Sequence, residues 1–293
     1  MIKQIAFLSK SAKVLAALFL FSMVNNYSAQ AQQNITIRQL LDNMYKSISN
    51  TKTYAFDMTS KERFHGKYVE TNMHFRINES PKKIYAKDLK TGLEILYAQG
   101  WNNNKLYVNT NGAPWFNVSV APNGSQARKD NHHMVTTSGF AFTKELLQKT
   151  EKMVLARGEK VEDFLSIQGE TTFDGRACYK VNMEYKEYST KKHKVTKDID
   201  LTQLCLDLCV PEYWVKERNN ISFGIVKAGK ELIVPTSYAK KVIFYVDKQN
   251  FLPLVQLLYD DKDLYEKYEY RNLQTNYKPV VGEWTENCKD YDF

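Results

Sequence analysis

Apolar and polar side chains alternate along most of this chain, most clearly toward its C-terminus. Residues 241–246 are rich in β-branched and aromatic side chains, Asp247-Lys248-Gln249-Asn250 breaks the run, and residues 251–259 resume it. Asp260-Asp261-Lys262-Asp263 is a short polar connection, and residues 264–273 then alternate again. In that last strand Leu264, Glu266, Tyr268 and Tyr270 share one face, while Tyr265, Lys267, Glu269 and Arg271 share the other. The pattern predicts a three-stranded meander with one wetted face.

The period-two signal recurs upstream. Residues 53–64 read as a strand with Tyr54, Phe56 and Met58 inward; His65-Gly66-Lys67 turns the chain, and Met73, Phe75 and Ile77 mark the inner face of its return. Short strands are expected at 84–89, 93–98, 106–109 and 115–120, and residues 164–173 meet Asp174-Gly175, a strong hairpin turn, before 177–185 alternate. Further strands are expected at 213–218, 222–226 and 231–234.

Helical spacing occurs in three short places. Ile37, Leu40, Leu41, Met44, Tyr45 and Ile48 follow a Thr36/Gln39 capping box; Thr143 caps a segment with Leu146, Leu147 and Thr150 inward; and residues 201–208 stop before Pro211. Roughly ten to twelve strands with two or three helices predict a mainly β, α+β chain, because helices do not alternate with strands as a βαβ fold requires. A sheet of that size must curl, close into a barrel or split into a sandwich.

Residues 1–31 read as a cleaved signal peptide: Lys3, Lys10 and Lys13, an apolar run over 14–24 too short to span a bilayer, and small residues at Ala29-Gln30-Ala31. Residues 32–293 are then a single domain, since no linker or composition break divides them. Removing the leader takes three Lys and no acid from a formal charge of +8, leaving a mild basic excess spread along the chain. Its densest patch, Lys191-Lys192-His193-Lys194, reads as a solvated loop, and no nucleic-acid partner is expected. An exported, periplasmic protein follows, and not an integral membrane protein.

Four cysteines, Cys178, Cys205, Cys209 and Cys288, allow two disulfides in an oxidising compartment. Cys205 and Cys209 share an apolar helical face and read first as buried thiols, with a disulfide as the main competitor, whereas Cys178 falls on the polar side of its strand and is more available for pairing. His132-His133 sits in a polar loop over 121–139, where strand neighbours would point apart, so an exposed, variable loop is expected there. No nucleophile elbow, phosphate loop or zinc signature is present, so no motif names a reaction, and neither enzyme chemistry, metal nor cofactor is expected.

The aromatic content, 13% of residues, is the positive signal. Phe56, Met58, Phe75, Tyr85, Tyr97, Trp101, Trp115, Phe116, Phe244, Leu258 and Tyr268 are candidates to line the concave side of a curled sheet. Glu266 joins them as a carboxylate on an apolar face, which needs a basic or hydrogen-bonding partner or a place at the cavity mouth. Two arrangements satisfy this pattern: an apolar cavity partly filled by helices, or a fully packed core.

Residues 259–276, YDDKDLYEKYEYRNLQTN, the closing Asp290-Tyr291-Asp292-Phe293, and the earlier segments 80–85 and 94–97 resemble a family of exported Gram-negative proteins of unknown function. Members are placed near LolA-type lipoprotein carriers. The resemblance implies a LolA-like half-open β-barrel with short helices covering its concave face, binding a lipid or the acyl chain of a lipoprotein. A filled core would instead make the chain an envelope scaffold or protein-interaction domain.

Overall fold

The computed structural model describes residues 35–293, so the expected signal peptide lies outside the described residues. Strands β1 (Thr53–Phe64), β2 (Lys67–Glu79), β3 (Lys82–Asp88), β4 (Glu94–Ala98), β5 (Leu106–Asn109) and β6 (Val118–Val120) follow helix α1 (Ile37–Asn50) as successive antiparallel neighbours. Helix α2 (Phe140–Leu155) precedes the β7 (Leu165–Phe173) and β8 (Arg176–Glu184) hairpin. The meander is β13 (Lys241–Asp247), β14 (Pro253–Tyr259) and β15 (Leu264–Thr275).

All of these form one eleven-stranded antiparallel sheet in the order β6-β5-β4-β3-β2-β1-β15-β14-β13-β8-β7. Its end strands do not pair, so the sheet is open and mainly β: the alternation predicts the strands, and of the curled, closed and split arrangements it allows, the curled open sheet that the family resemblance implies is the one found. Register shifts in β1, β7, β13 and β14 add the local bends that curvature needs. The turns His65-Gly66 and Asp174-Gly175 place both residues at positive φ, the geometry that matches the twist of a two-residue hairpin.

Helix α2 lies on the concave face. It opens at Phe140, whose ring packs 4.8 Å from Tyr270 and 5.5 Å from Tyr54. Thr143 is therefore not its cap but sits inside the first turn, where its hydroxyl donates to Gln256 Oε1 at 3.1 Å. Burial of Phe140 sets the start, and Gly139 (φ 101°) precedes it because a Cβ there would fall 2.1 Å from the Tyr54 hydroxyl. Helix α1 buries Leu40, Leu41, Met44 and Ile48, and its Arg38 pairs with Glu151 of α2.

Between β8 and β13 the chain builds a small satellite core. Strands β9 (Thr190–Lys194) and β12 (Glu231–Pro235) pair, β10 (Ile199–Asp200) pairs with β11 (Ile225–Val226), and α3 (Leu201–Leu208) and α4 (Glu212–Asn219) pack Leu201, Leu204, Cys205 and Val215 against Leu232 and Val234. Three expectations are corrected here. The basic run 191–194 is a strand rather than a loop, residues 222–226 shrink to a two-residue strand, and 213–218 is helical. Tyr213 and Val215 suggested period two, but Pro211 ahead of the first turn, Glu212 within it and Lys216 and Arg218 in the last turn all suit a helix.

All four cysteines are buried and unpaired. Cys178 departs from expectation: β8 is an interior strand flanked by β7 and β13, and the side chain is fully buried. On the convex face the segment after β15 folds back. Tyr291 stacks on Tyr85 at 3.7 Å, with Leu96 and Cys288 completing a second small core.

Candidate ligand-binding cavity

Strand parity builds this site. Met58, Ser60 and Glu62 of β1, Thr71, Met73 and Phe75 of β2, Phe244 of β13, Leu258 of β14, and Glu266, Tyr268 and Tyr270 of β15 all face the concave side. Phe142, Leu146, Leu147 and Thr150 of α2 close over them, and the loop 126–139 supplies a third wall. The three enclose a cavity of about 400 Å³, within the range of small-molecule sites. Its floor includes the directly paired Met58 and Met73, flexible side chains suited to an irregular apolar guest.

Polar groups gather around one part of the cavity wall. Glu62 and Glu266 are cross-strand partners on β1 and β15, both buried, and two carboxylates so placed repel unless donors separate them. His132 does so: its backbone N–H donates to Glu62 Oε2 at 2.7 Å and its Nδ1 lies 2.9 Å from Glu266 Oε1, while Nε2 donates to the Arg63 carbonyl at 3.1 Å. Tyr268 donates its hydroxyl to Glu62 Oε1. His133 Nε2 lies 3.3 Å from Glu266 Oε2 and 3.1 Å from the Tyr238 hydroxyl, which also donates to Glu266. Arg128, buried under the loop, donates to the His132 carbonyl and pairs with Glu212 at 2.9 Å.

Burial opposes ionisation of Glu266, but the charge of His133 and the hydrogen bonds from both histidines outweigh it and hold the carboxyl below the ordinary range. His133 moves the other way. Burial works against its charge, yet Glu266 beside it raises its pKa above the usual histidine value. Burial, reinforced by Glu266, lifts the Tyr238 and Tyr268 hydroxyls well above the ordinary tyrosine range, so both act as neutral donors. Among the described residues no cluster of three or more His, Cys, Asp or Glu is arranged to hold a metal ion.

Of the candidates from sequence, Met58, Phe75, Phe244, Leu258, Glu266 and Tyr268 line the cavity. Phe56 is on the same face but lies in packed core, its ring 6.1 Å from Phe140 and 5.0 Å from Tyr270. Tyr97 shares the concave parity of Ile95 yet lies outside the cavity wall. The remaining four are corrections. Tyr85 is out of phase with the inner residues Ile84 and Ala86 and stacks on Tyr291 on the convex side. Trp101 packs edge-on against Tyr107 in that same outer cluster. Trp115 and Phe116 precede β6 in a loop and are 90% and 70% exposed.

The His132-His133 expectation is also overturned. These residues are not in a strand, so the loop turns between them and brings both rings to one carboxylate, with His132 2% exposed. Sequence reasoning missed Glu62, His133 and Tyr238. Parity from Phe56 and Met58 leads directly to Glu62, but nothing local ties the two histidines to Glu266 more than a hundred residues further along the chain, or Tyr238 to it across the intervening β13–β14 hairpin.

An open, curved antiparallel sheet with a helix-covered concave cavity defines the class of this molecule. The chain belongs to the family described as a protein of unknown function, DUF1571, whose model matches residues 51–222, from the start of β1 past α4. No curated protein matches its sequence. Solved structures similar to it include LprF from Mycobacterium bovis (12% identity, covering 85% of this chain and 96% of that one, TM-score 0.40) and the lipoprotein LppX from Mycobacterium tuberculosis (8%, 84% and 100%, 0.40). A LolA superfamily protein from Nitrosomonas europaea is another (9%, 85% and 97%, TM-score 0.27). Scores this low set no functional expectation, and function has to be read from the site.

Proposed function

We propose that this chain is a single-domain, non-enzymatic binding or carrier protein of the periplasm whose cavity takes a hydrophobic ligand, a lipid or an acyl chain. The cavity of about 400 Å³ between the sheet and α2 carries this reading. Its walls are mainly aliphatic, aromatic and methionine side chains, with a hydrogen-bonding cluster on one side, the usual composition of a site that buries an apolar body and orients a polar end. Within the carboxylate–histidine cluster the polar groups satisfy one another, so the cluster shapes the cavity wall and needs no reaction to explain it. Among the described residues no helix is long and apolar enough to cross a membrane.

Native mass spectrometry of protein isolated gently from its own compartment, followed by organic extraction, tests the proposal. A lipid or acylated species at near one-to-one stoichiometry is expected, together with saturable uptake of a fluorescent fatty-acid probe. Met73→Trp, which fills the floor from a position paired to both neighbouring strands, should abolish uptake while leaving the fold intact. An apoprotein that ignores the probe, or equal uptake by the Met73→Trp variant, would overturn the carrier reading.

A further inference from the structure

We infer that this protein docks on the surface of an anionic lipid bilayer through one end of its sheet, led by Trp115, Phe116 and Leu89. This goes beyond the cavity reading and does not depend on it. Leu89 sits in the turn between β3 and β4 and is 56% exposed; Trp115 and Phe116 sit in the loop between β5 and β6. Their exposure is not that of a frayed segment. Asn111 Nδ2 of the loop donates to the Thr91 carbonyl of the turn at 2.9 Å, and the Leu89 amide donates to the Asn72 carbonyl of β2 at 2.9 Å. Within the loop, the Thr110 hydroxyl donates to the Pro114 carbonyl at 3.1 Å and the Asn111 amide to Asn109 Oδ1 at 2.8 Å. A hydrogen-bonded loop thus holds a large indole and a phenyl ring in water, which burial elsewhere in the fold does not explain.

The surrounding charge identifies what would cover them. In a meander, alternate connections fall at the same end of the sheet: the β3–β4 and β5–β6 tips are tied together through Asn111 and Thr91, and the β1–β2 tip lies at that end but further along β2, because the β3–β4 turn meets β2 at Asn72. Residues 65–68, 89–92 and 110–117, which make up those tips, include Lys67 and Lys90, both exposed, and no acid. Apolar and aromatic side chains on protruding tips, beside lysines, suit the interface of a bilayer: rings sit at the headgroup level and ammonium groups meet phosphates. A protein partner would more naturally meet a groove or a continuous flat patch, and these side chains stand on separate tips. Asp88 and Leu93, which flank the β3–β4 turn, line the cavity, so docking in this pose brings one end of the cavity toward the lipid.

Flotation of the protein with vesicles of phosphatidylethanolamine and phosphatidylglycerol, against vesicles of phosphatidylcholine alone, tests the inference. The wild type should float with the anionic vesicles, and the Trp115→Ser/Phe116→Ser variant should bind about tenfold or more weakly at unchanged melting temperature. Lys67→Glu/Lys90→Glu should lose binding to anionic vesicles in particular. A wild type that floats with neither composition, or a double serine variant that floats as well as wild type, would overturn the inference. So would a change of oligomeric state in that variant with flotation unaffected, since the patch would then be a protein contact. Flotation without uptake of the fatty-acid probe would sink the carrier reading and leave docking standing.

Discussion

Glu62 and Glu266 face each other across β1 and β15, and the loop histidines are what allow two acids to sit there. Removing one acid tests how far the arrangement depends on it. Glu266→Leu strips His132 Nδ1 of its acceptor in a buried setting and leaves His133 Nε2 only the Tyr238 hydroxyl, and breaking such a group from one side costs on the order of 3 kcal/mol; urea unfolding should record that loss. The same cluster predicts a pH profile. His133 has a folded-state pKa above its usual 6.5, so the stability it contributes is complete below about 6.5 and is lost as pH rises through the raised value. Glu266 is shifted downward from 4.5, so its contribution is present above about 4.5 and lost as pH falls toward the lowered value. Melting temperature across pH 3 to 9 should therefore show a plateau between roughly 4.5 and 6.5, with His133→Asn flattening the alkaline limb. At this scale the sequence was half legible: a carboxylate on an apolar strand face announces that it needs a partner, but which loop supplies it is a long-range fact that no local pattern encodes.

At the scale of elements, hairpins were the most legible part, because their turn residues and alternation are local. Asp174-Gly175 and His65-Gly66 declare both the turn and the register of the strands they join. The helices were less so. Two apolar residues at spacing two made α4 look like a strand, while its end charges and Pro211 argued the other way. In α2 the start is dictated by tertiary packing of Phe140, which overrides the capping preference of Thr143. Gly139 is the hinge of that arrangement. Gly139→Ala would put a non-glycine residue at φ 101° and drive a Cβ into the Tyr54 hydroxyl, costing about 1–3 kcal/mol. Tyr54→Phe in the same chain removes the closest clashing atom, the oxygen, but neither the two ring carbons at 2.9 Å nor the backbone strain, so it should recover only part of the loss in a chemical-denaturation cycle. Because α2 roofs the cavity, the fatty-acid probe should also bind more weakly to Gly139→Ala, and unchanged affinity would show that the roof does not depend on this junction.

Across the whole molecule, the two faces of the sheet do different work, and this was the least legible level. The aromatic residues all looked alike as core candidates, yet parity sends Phe75, Phe244 and Tyr268 to the cavity and Tyr85 to the convex side, where Tyr291, Cys288 and Trp284 of the returning C-terminal segment cover it. Polar contacts fasten that segment: Arg76 to the buried Glu283 at 3.2 Å, and the Asp292 amide to the buried Glu94 at 2.8 Å. None of its residues lines the cavity. Deleting residues 277–293 should therefore expose Tyr85 and Leu96 and remove the ion pair to Arg76, lowering stability by about 3 kcal/mol or more, comparable to truncating one buried aromatic side chain. Binding of the fatty-acid probe at a temperature where the truncated chain is still folded should be unchanged. If affinity falls in parallel with stability, the convex cover and the concave cavity are mechanically coupled through the sheet. If it holds, the C-terminal segment is a stabilising strap whose removal leaves the binding face intact.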